Sequence, residues 1–159
     1  MDNTYDQSGH LLSSGTDERA EPARSQGGSY LGKSASGCRE LTVKFTSTTV
    51  INTGTITYGQ TKRWCWSANK VTGPNGSGAP VFTRYVCCNA TNVKEVSWSP
   101  YSYFFQYDGL GPNSGHFSQV NGKFTICLGS LCADQYPYIN IETHGNGTYS
   151  WYWYDGDYN

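Results

Sequence analysis

The chain has 159 residues, a net charge of −1, 15 % aromatic residues and only 14 % charged residues. Its near-zero charge gives no electrostatic attraction to nucleic acid or to an anionic membrane. Its sequence has no apolar run of about eighteen residues, the length needed to span a bilayer. Thr, Tyr, Val, Trp and Phe are plentiful while helix formers are scarce, so the composition favours β-structure.

The first segment of the chain, residues 1–37, contains no cysteine, no tryptophan and few apolar residues. Such a segment buries too little surface to offset the entropy lost on ordering. We therefore predict a disordered polar arm over residues 1–37 and a folded domain over residues 38–159. The arm is either a passive linker or leader remnant, or a segment that becomes ordered on a partner protein.

The sequence of the domain predicts short strands, separated by turns at intervals of about ten residues. Leu41, Val43 and Phe45 alternate with polar residues, which is the pattern of a half-buried strand. Residues 101–107 carry aromatic side chains on both faces, so we expect burial or pairing on both. The remaining predicted strands are residues 53–58, 63–71, 81–88, 93–98, 115–120, 123–128, 138–143 and 148–154.

Two hairpins are predicted from turn residues. Asn121-Gly122 is the strongest short hairpin signal in the chain, and His144-Gly145-Asn146-Gly147 is the second. Because no segment has a helical period, we predict an all-β chain, an antiparallel β-sandwich of the immunoglobulin-like or a related type stapled by disulfides. A closed barrel is the alternative.

Six cysteines in a small β-rich chain indicate an oxidising compartment. We expect a secreted protein whose signal peptide has been removed; the alternative is a cytosolic protein with six free thiols. Cys127 and Cys132 are close enough to pair with each other. Adjacent residues of a strand point to opposite faces, so we expect Cys87 and Cys88 to pair with Cys38 and Cys65 in some order.

Candidate catalytic residues are few. Glu142 and His144 would share one strand face, which is half of an acid–base pair, but no nucleophile motif accompanies them. The three histidines are scattered, without the grouped spacing of a metal site. We predict a protein that is not an enzyme and that has no catalytic residues, no metal and no cofactor.

The run from Trp151 to Tyr154 is aromatic at every position. Two of its four side chains must face outward if the strand is one layer of a sandwich. Exposed tryptophan and tyrosine stack on sugars and anchor protein interfaces. We expect Trp151 and Trp153 to contact a partner.

The chain resembles small secreted actinobacterial proteins, among them the small adaptor subunit of Streptomyces umbrella toxin particles. The resemblance covers residues 41–154 and rests on Trp64-Cys65-Trp66, Gly115-His116-Phe117, Cys127, Cys132, Pro137-Tyr138-Ile139 and Gly145-Asn146-Gly147-Thr148. It implies a non-catalytic β-domain that joins a lectin-bearing subunit to a stalk subunit. It also implies that the arm docks in a cleft of a protease-like partner, to which Arg19, Arg24 or Lys33 would offer a basic side chain.

The leading functional hypothesis is a secreted adaptor that joins protein subunits of a toxin-like assembly. Its arm, including Tyr30, would contact one subunit and its aromatic face another. The first alternative is a carbohydrate-binding module that uses Trp151, Trp153 and neighbouring tyrosines. The second is a secreted hydrolase with an unrecognised pair of carboxylates.

Overall fold

The computed structural model describes residues 2–6, 11–15, 25–32, 34–48, 55–87, 93–106 and 114–156. The regular elements in these residues are β-strands, which form two antiparallel sheets. This arrangement confirms the predicted all-β sandwich. The described part of the chain has no helix of the length and apolarity needed to span a bilayer. The strands are β1 (Asp2–Asp6), β2 (Leu11–Gly15), β3 (Ser25–Tyr30), β4 (Ser36–Thr48), β5 (Thr55–Ser67), β6 (Lys70–Thr72), β7 (Val81–Cys87), β8 (Val93–Phe105), β9 (Gly115–Leu128), β10 (Leu131–Gln135), β11 (Tyr138–His144) and β12 (Tyr149–Tyr154).

The first sheet is built around β4 and β5, which pair over thirteen residues each. Its order is β2-β1-β4-β5, and the far side of β5 pairs with β7 along one half and with β6 along the other. The second sheet has the order β3-β12-β11-β9-β8. Here β10 takes the place of β11 beside the last part of β9. Thus β3 and β8 lie at opposite edges of the second sheet.

The core lies between the inner faces of the two sheets. The predicted alternation in β4 is confirmed, since Leu41, Val43 and Phe45 are at most 3 % exposed. The ring of Phe45 stacks on Trp153 of the opposite sheet, with centroids 4.4 Å apart. Each such buried side chain stabilises the fold by roughly 1.5–3 kcal/mol. Core side chains also come from β5, β9, β11 and β12: Ile56, Tyr58, Trp64, Trp66, Val120, Phe124, Ile126, Ile139, Ile141 and Tyr149.

The predicted hairpin at Asn121-Gly122 is wrong, because β9 runs through this dipeptide without turning. Gly122 faces the core beneath the ring of Tyr58, where an added Cβ would lie 2.8 Å from the ring carbon Cζ. Its N–H donates to the carbonyl of Pro137 at 2.9 Å. The glycine therefore permits a close approach of ring and backbone rather than a turn.

The second predicted hairpin is confirmed, since β11 and β12 pair on either side of residues 145–148. Gly147 has φ +88°, which glycine adopts without strain. A further hairpin joins β5 and β6 inside the predicted strand over residues 63–71. Ala68 and Asn69 both have positive φ there, as a two-residue turn of type I′ requires.

Two disulfides link directly opposed residues of neighbouring strands. Cys127–Cys132 closes the β9–β10 hairpin, as predicted. The other predicted pairings are wrong, because Cys38 and Cys65 bond to each other across β4 and β5. The two positions face each other in the register of these long strands, a relationship that the sequence separation of 27 does not reveal. The side chains of Cys87 and Cys88 lie outside the described residues.

The described residues within the predicted arm, residues 1–37, contribute strands to both sheets. β1 pairs with β4 in the first sheet, and β3 pairs with β12 in the second. β3 is polar and is held by backbone pairing, so it needs no apolar pattern of its own. Its glycines leave room for the aromatic rings of β12: a Cβ on Gly28 would lie 2.5 Å from Trp151.

Candidate functional site

Of the residues predicted to bind partners, Tyr30, Trp151 and Trp153 lie in the described part of the second sheet. Arg19, Arg24 and Lys33 lie outside the described residues. Tyr30 is 38 % exposed at the end of β3, where its ring stacks on Tyr149 with centroids 5.3 Å apart. The guanidinium of Arg39 lies 4.3 Å above the Tyr30 ring and 5.3 Å from the Tyr149 ring. Arg39 belongs to the first sheet and the two tyrosines to the second, so these cation–π contacts join the two sheets at one edge of the sandwich.

The expected exposure of Trp151 and Trp153 is wrong. Trp153 is only 4 % exposed, and Trp151 is partly buried against the same core. Both point inward because their strand alternates, which leaves Tyr152 and Tyr154 on the outer face. Two aromatics of this run do face outward, as expected, but they are the tyrosines.

A polar cluster lies inside the sandwich between β5 and β9. Lys62 is fully buried, and its Nζ donates to the backbone carbonyls of His116 at 3.0 Å and Ile141 at 3.1 Å. Ser118 donates to the side-chain oxygen of Gln60. Burial lowers the pKa of Lys62 well below its usual value, although the charge of Glu142 acts in the opposite direction.

The other two groups with clearly shifted pKa values are also in the core. Burial, together with the charge of Lys62, lowers the pKa of His116 to about 3. Burial, followed by the charge of Glu95, raises the pKa of the Tyr58 phenol. Tyr58 is fully buried and His116 is 2 % exposed. These groups therefore lie in the core between the two sheets.

The Glu142 and His144 side chains do lie side by side on the outer face of β11, as expected. Nε2 of His144 is 3.5 Å from Oε2 of Glu142, and the imidazole contacts the ring of Phe105 with centroids 5.6 Å apart. Within the described ranges, no group of three or more His, Cys, Asp or Glu side chains is placed to hold a metal ion.

The second sheet presents a row of aromatic rings on its outer face, beginning at β8. Val93–Phe105 is one strand rather than the two that were predicted. Its aromatic side chains are paired with rings on both faces, as with Tyr103 on Phe117 and Phe104 on His116, rather than fully buried. Tyr101 is 56 % exposed and Tyr103 is 45 % exposed. Their rings contact Phe117 of β9, with centroids 6.2 Å and 5.1 Å apart. We call Tyr101, Tyr103 and Phe117 the first ring cluster.

A second ring cluster lies on the same face across β11 and β12. It consists of Tyr138, Tyr152 and Tyr154, and the Tyr138 centroid lies 6.1 Å and 5.6 Å from the other two. Strand register puts Tyr138 opposite Tyr154 and Asn140 opposite Tyr152. All three tyrosines are partly exposed.

Amide side chains fill the space between the two ring clusters. Gln119 and Asn121 lie on β9, and Nε2 of Gln119 donates to Oδ1 of Asn121 at 2.7 Å. Asn140 lies next to Gln119 in the register of β11 and β9. We call the two ring clusters and these three amides the aromatic–amide face. A carboxamide has two donor hydrogens and an acceptor oxygen, so this middle strip can both donate and accept.

The aromatic–amide face carries no charged side chain of its own. Glu142 borders the face on β11, where it lies opposite Phe117 and two positions from Asn140, and its Oε2 is 3.5 Å from Nε2 of His144. Nζ of Lys123 lies 3.8 Å from Asp134 beyond the end of the face that carries Asn121. The face therefore suits a neutral ligand better than an anionic one, because the Glu142 carboxylate would repel an anion.

Sequence reasoning missed the face for an identifiable reason. Residues 101–107 are aromatic at both parities, so the sequence predicts burial or pairing on both faces. The rings of Tyr101 and Tyr103 are paired with Phe117 and stay exposed, because they lie on the outer side of the sheet. The alternation of Phe117, Gln119 and Asn121 with buried residues in β9 was the available signal.

Comparisons with known proteins identify no relative of this chain. No protein-family model matches it, and neither the curated proteins nor the solved structures contain a match. The resemblance to secreted actinobacterial proteins remains a prediction from sequence.

Proposed function

We propose that the chain is a secreted, non-catalytic carbohydrate-binding domain whose aromatic–amide face binds a neutral glycan. The observation that carries this proposal is the placement of two exposed ring clusters on either side of a strip of amides. Pyranose rings present C–H groups that pack on aromatic faces, while their hydroxyls pair with amide donors and acceptors. The two disulfides support an extracellular setting.

The ring clusters are ordered before any ligand arrives. Tyr103 stacks on Phe117 at an interplanar angle of 23°, and Tyr138 is flanked by both other members of its cluster. Tyrosine has few rotatable bonds, and neighbouring rings restrict them further. Binding therefore costs little side-chain entropy. A weakly polar surface needs this low entropic cost in order to hold a sugar.

The test is a binding assay of the intact chain against soluble neutral polysaccharides, by affinity electrophoresis and calorimetry. Tyr101→Ala removes an exposed ring of the first cluster, and Tyr152→Ala removes a partly exposed ring of the second. The matched control is Tyr85→Ala, because Tyr85 is a partly exposed tyrosine on a strand of the first sheet. We expect at least tenfold weaker binding for the first two variants and unchanged binding for the control. Absence of binding to every polysaccharide overturns the proposal.

An adaptor that joins protein subunits is the second proposed function, and β8 is the feature that favours it. The strand is an edge of the second sheet and exposes Val96, Trp98, Tyr101, Tyr103 and Phe104. A long apolar edge strand is a template for pairing with another chain.

Capture from native culture supernatant distinguishes the two functions. Val96→Lys places a charge on β8, and Val81→Lys places one at a similarly exposed position of β7, with 54 % and 55 % exposure respectively. An adaptor loses a specific protein partner in the first variant only. If both variants capture the same proteins as the unmodified chain, β8 is not the adaptor surface.

A further inference from the structure

The aromatic–amide face contains one row of directly opposed side chains that crosses four strands. Register places Tyr101 beside Gln119, Gln119 beside Asn140, and Asn140 beside Tyr152. The row thus has a ring at each end and two amides between them. It runs perpendicular to the strands, because directly opposed residues define it.

The length of the row limits the ligand. Neighbouring strands are about 4.8 Å apart, so the backbone positions of Tyr101 and Tyr152 are about 14 Å apart over three intervals. This span matches three to four sugar units of an extended chain. A sugar at each end would lie on a tyrosine, and the sugars between them would meet the amide groups.

The openness of the row limits the linkage, because the outer face of a twisted sheet has no walls around a ligand. A chain of 1,4-linked pyranoses with both bonds equatorial is an extended ribbon, whose successive rings can follow an open surface of this kind. An α-1,4-linked chain coils, so its successive rings turn away from an open surface. The open outer face of a sheet has no wall to follow such a coil.

On this basis we propose that the ligand is a neutral, equatorially 1,4-linked polysaccharide, such as a β-1,4-glucan, xylan or mannan. It lies across the strands along Tyr101, Gln119, Asn140 and Tyr152. This inference rests on the proposed carbohydrate-binding function and adds the linkage, the direction of the chain and the number of sugars held. The Glu142 carboxylate, opposite Phe117 and next to Asn140 on the outer side of β11, disfavours uronic-acid polymers because like charges repel.

Calorimetry of the full chain with hexasaccharides of different linkage provides the test. The equatorial 1,4 probes are cellohexaose, xylohexaose and mannohexaose; maltohexaose is the α-1,4 probe and laminarihexaose the β-1,3 probe. We expect at least one equatorial 1,4 probe to bind tenfold or more tightly than maltohexaose and laminarihexaose. For that probe, affinity rises from the disaccharide to the tetrasaccharide and then levels off.

Variants along the row complete the experiment. We expect Gln119→Ala and Asn140→Ala each to weaken the binding of the hexasaccharide by about threefold to tenfold. The binding of the disaccharide should be less affected. Tyr85→Ala, away from the row, leaves all affinities unchanged. If maltohexaose or laminarihexaose binds as well as the best equatorial 1,4 probe, or if affinity levels off at the disaccharide, the inference is wrong while the carbohydrate-binding function stands. If no probe and no polysaccharide binds, both are wrong.

Discussion

The Nζ of Lys62 lies 3.0 Å from the backbone carbonyl oxygen of His116 and joins the two sheets through the middle of the core. Lys62 is fully buried, and it contacts the carbonyl of Ile141 on β11 as well. One side chain of the first sheet thus ties together two strands of the second. The outer side of these two strands carries Phe117, Gln119 and Asn140, so the same contact fixes the surface that we propose to bind glycan.

Replacing Lys62 is expected to change how stability depends on pH. The pKa of Lys62 in the fold is well below 10.5, so the unfolded chain carries a proton that the folded chain lacks. Stability therefore rises as pH increases toward 10.5, by on the order of 1 kcal/mol per pH unit. Lys62→Met removes this rise.

Urea unfolding between about pH 8 and pH 9.5 measures the effect, with Lys70→Met as the control at an exposed lysine. The control should keep the slope of the unmodified chain. A Lys62→Met variant with that same slope would show that the buried amine is charged in the fold.

Acid should destabilise the fold through His116. Its pKa is about 3 in the fold against 6.5 in the unfolded chain, so only the unfolded chain binds a proton between these values. The contribution of His116 is complete above pH 6.5 and is lost as the pH falls toward 3. His116→Phe should show a smaller fall in melting temperature from pH 7 to pH 4, as measured by circular dichroism. An equal fall in both proteins would contradict the burial of a neutral imidazole.

The two described disulfides should contribute unequally to stability. Cys38–Cys65 spans 27 residues and Cys127–Cys132 spans 5. Loop-closure entropy assigns them about 3.5 and about 2 kcal/mol respectively. The double serine variant of the first pair should therefore lose more free energy of unfolding in guanidinium than that of the second. The reverse order would mean that strain or residual structure, not loop entropy, decides their contributions.

The packing of β3 can be tested at a glycine. Ala at position 28 would place its Cβ 2.5 Å from Cζ2 of Trp151, so Gly28→Ala should cost about 1–3 kcal/mol of stability by overpacking. Ser29→Ala, at an exposed neighbour, should be nearly neutral. Chemical denaturation followed by tryptophan fluorescence measures both variants. A neutral Gly28→Ala would indicate that residues 25–30 are not docked on β12.

The sequence predicted those features that depend on local pattern. Three local patterns each determine the structure of their own segment without distant partners. They are the alternation in residues 41–45, the turn residues 144–147 and the short Cys127–Cys132 loop. The composition, rich in β-branched and aromatic residues, was sufficient for the fold class.

The features that sequence reasoning missed depend on contacts between distant segments. Gly122 looks like a turn residue until Tyr58, 64 positions earlier, is seen to lie over it. The polarity of β3 hides its pairing with β12, and only the register of β4 and β5 reveals that Cys38 faces Cys65. The face was missed similarly, because exposure of Tyr101 and Tyr103 depends on which strand lies at the edge of the sheet.

The most direct test of the proposed glycan face is an NMR titration that follows the side-chain NH₂ signals of Gln119 and Asn140. Adding the hexasaccharide that binds best should shift both signals, together with backbone amides of β8, β9, β11 and β12, at the same ligand concentration. Backbone amides of β4 and β7 in the first sheet should not move. Shifts confined to the first sheet, or saturation of the chain with sugar while both NH₂ signals stay in place, would contradict the account.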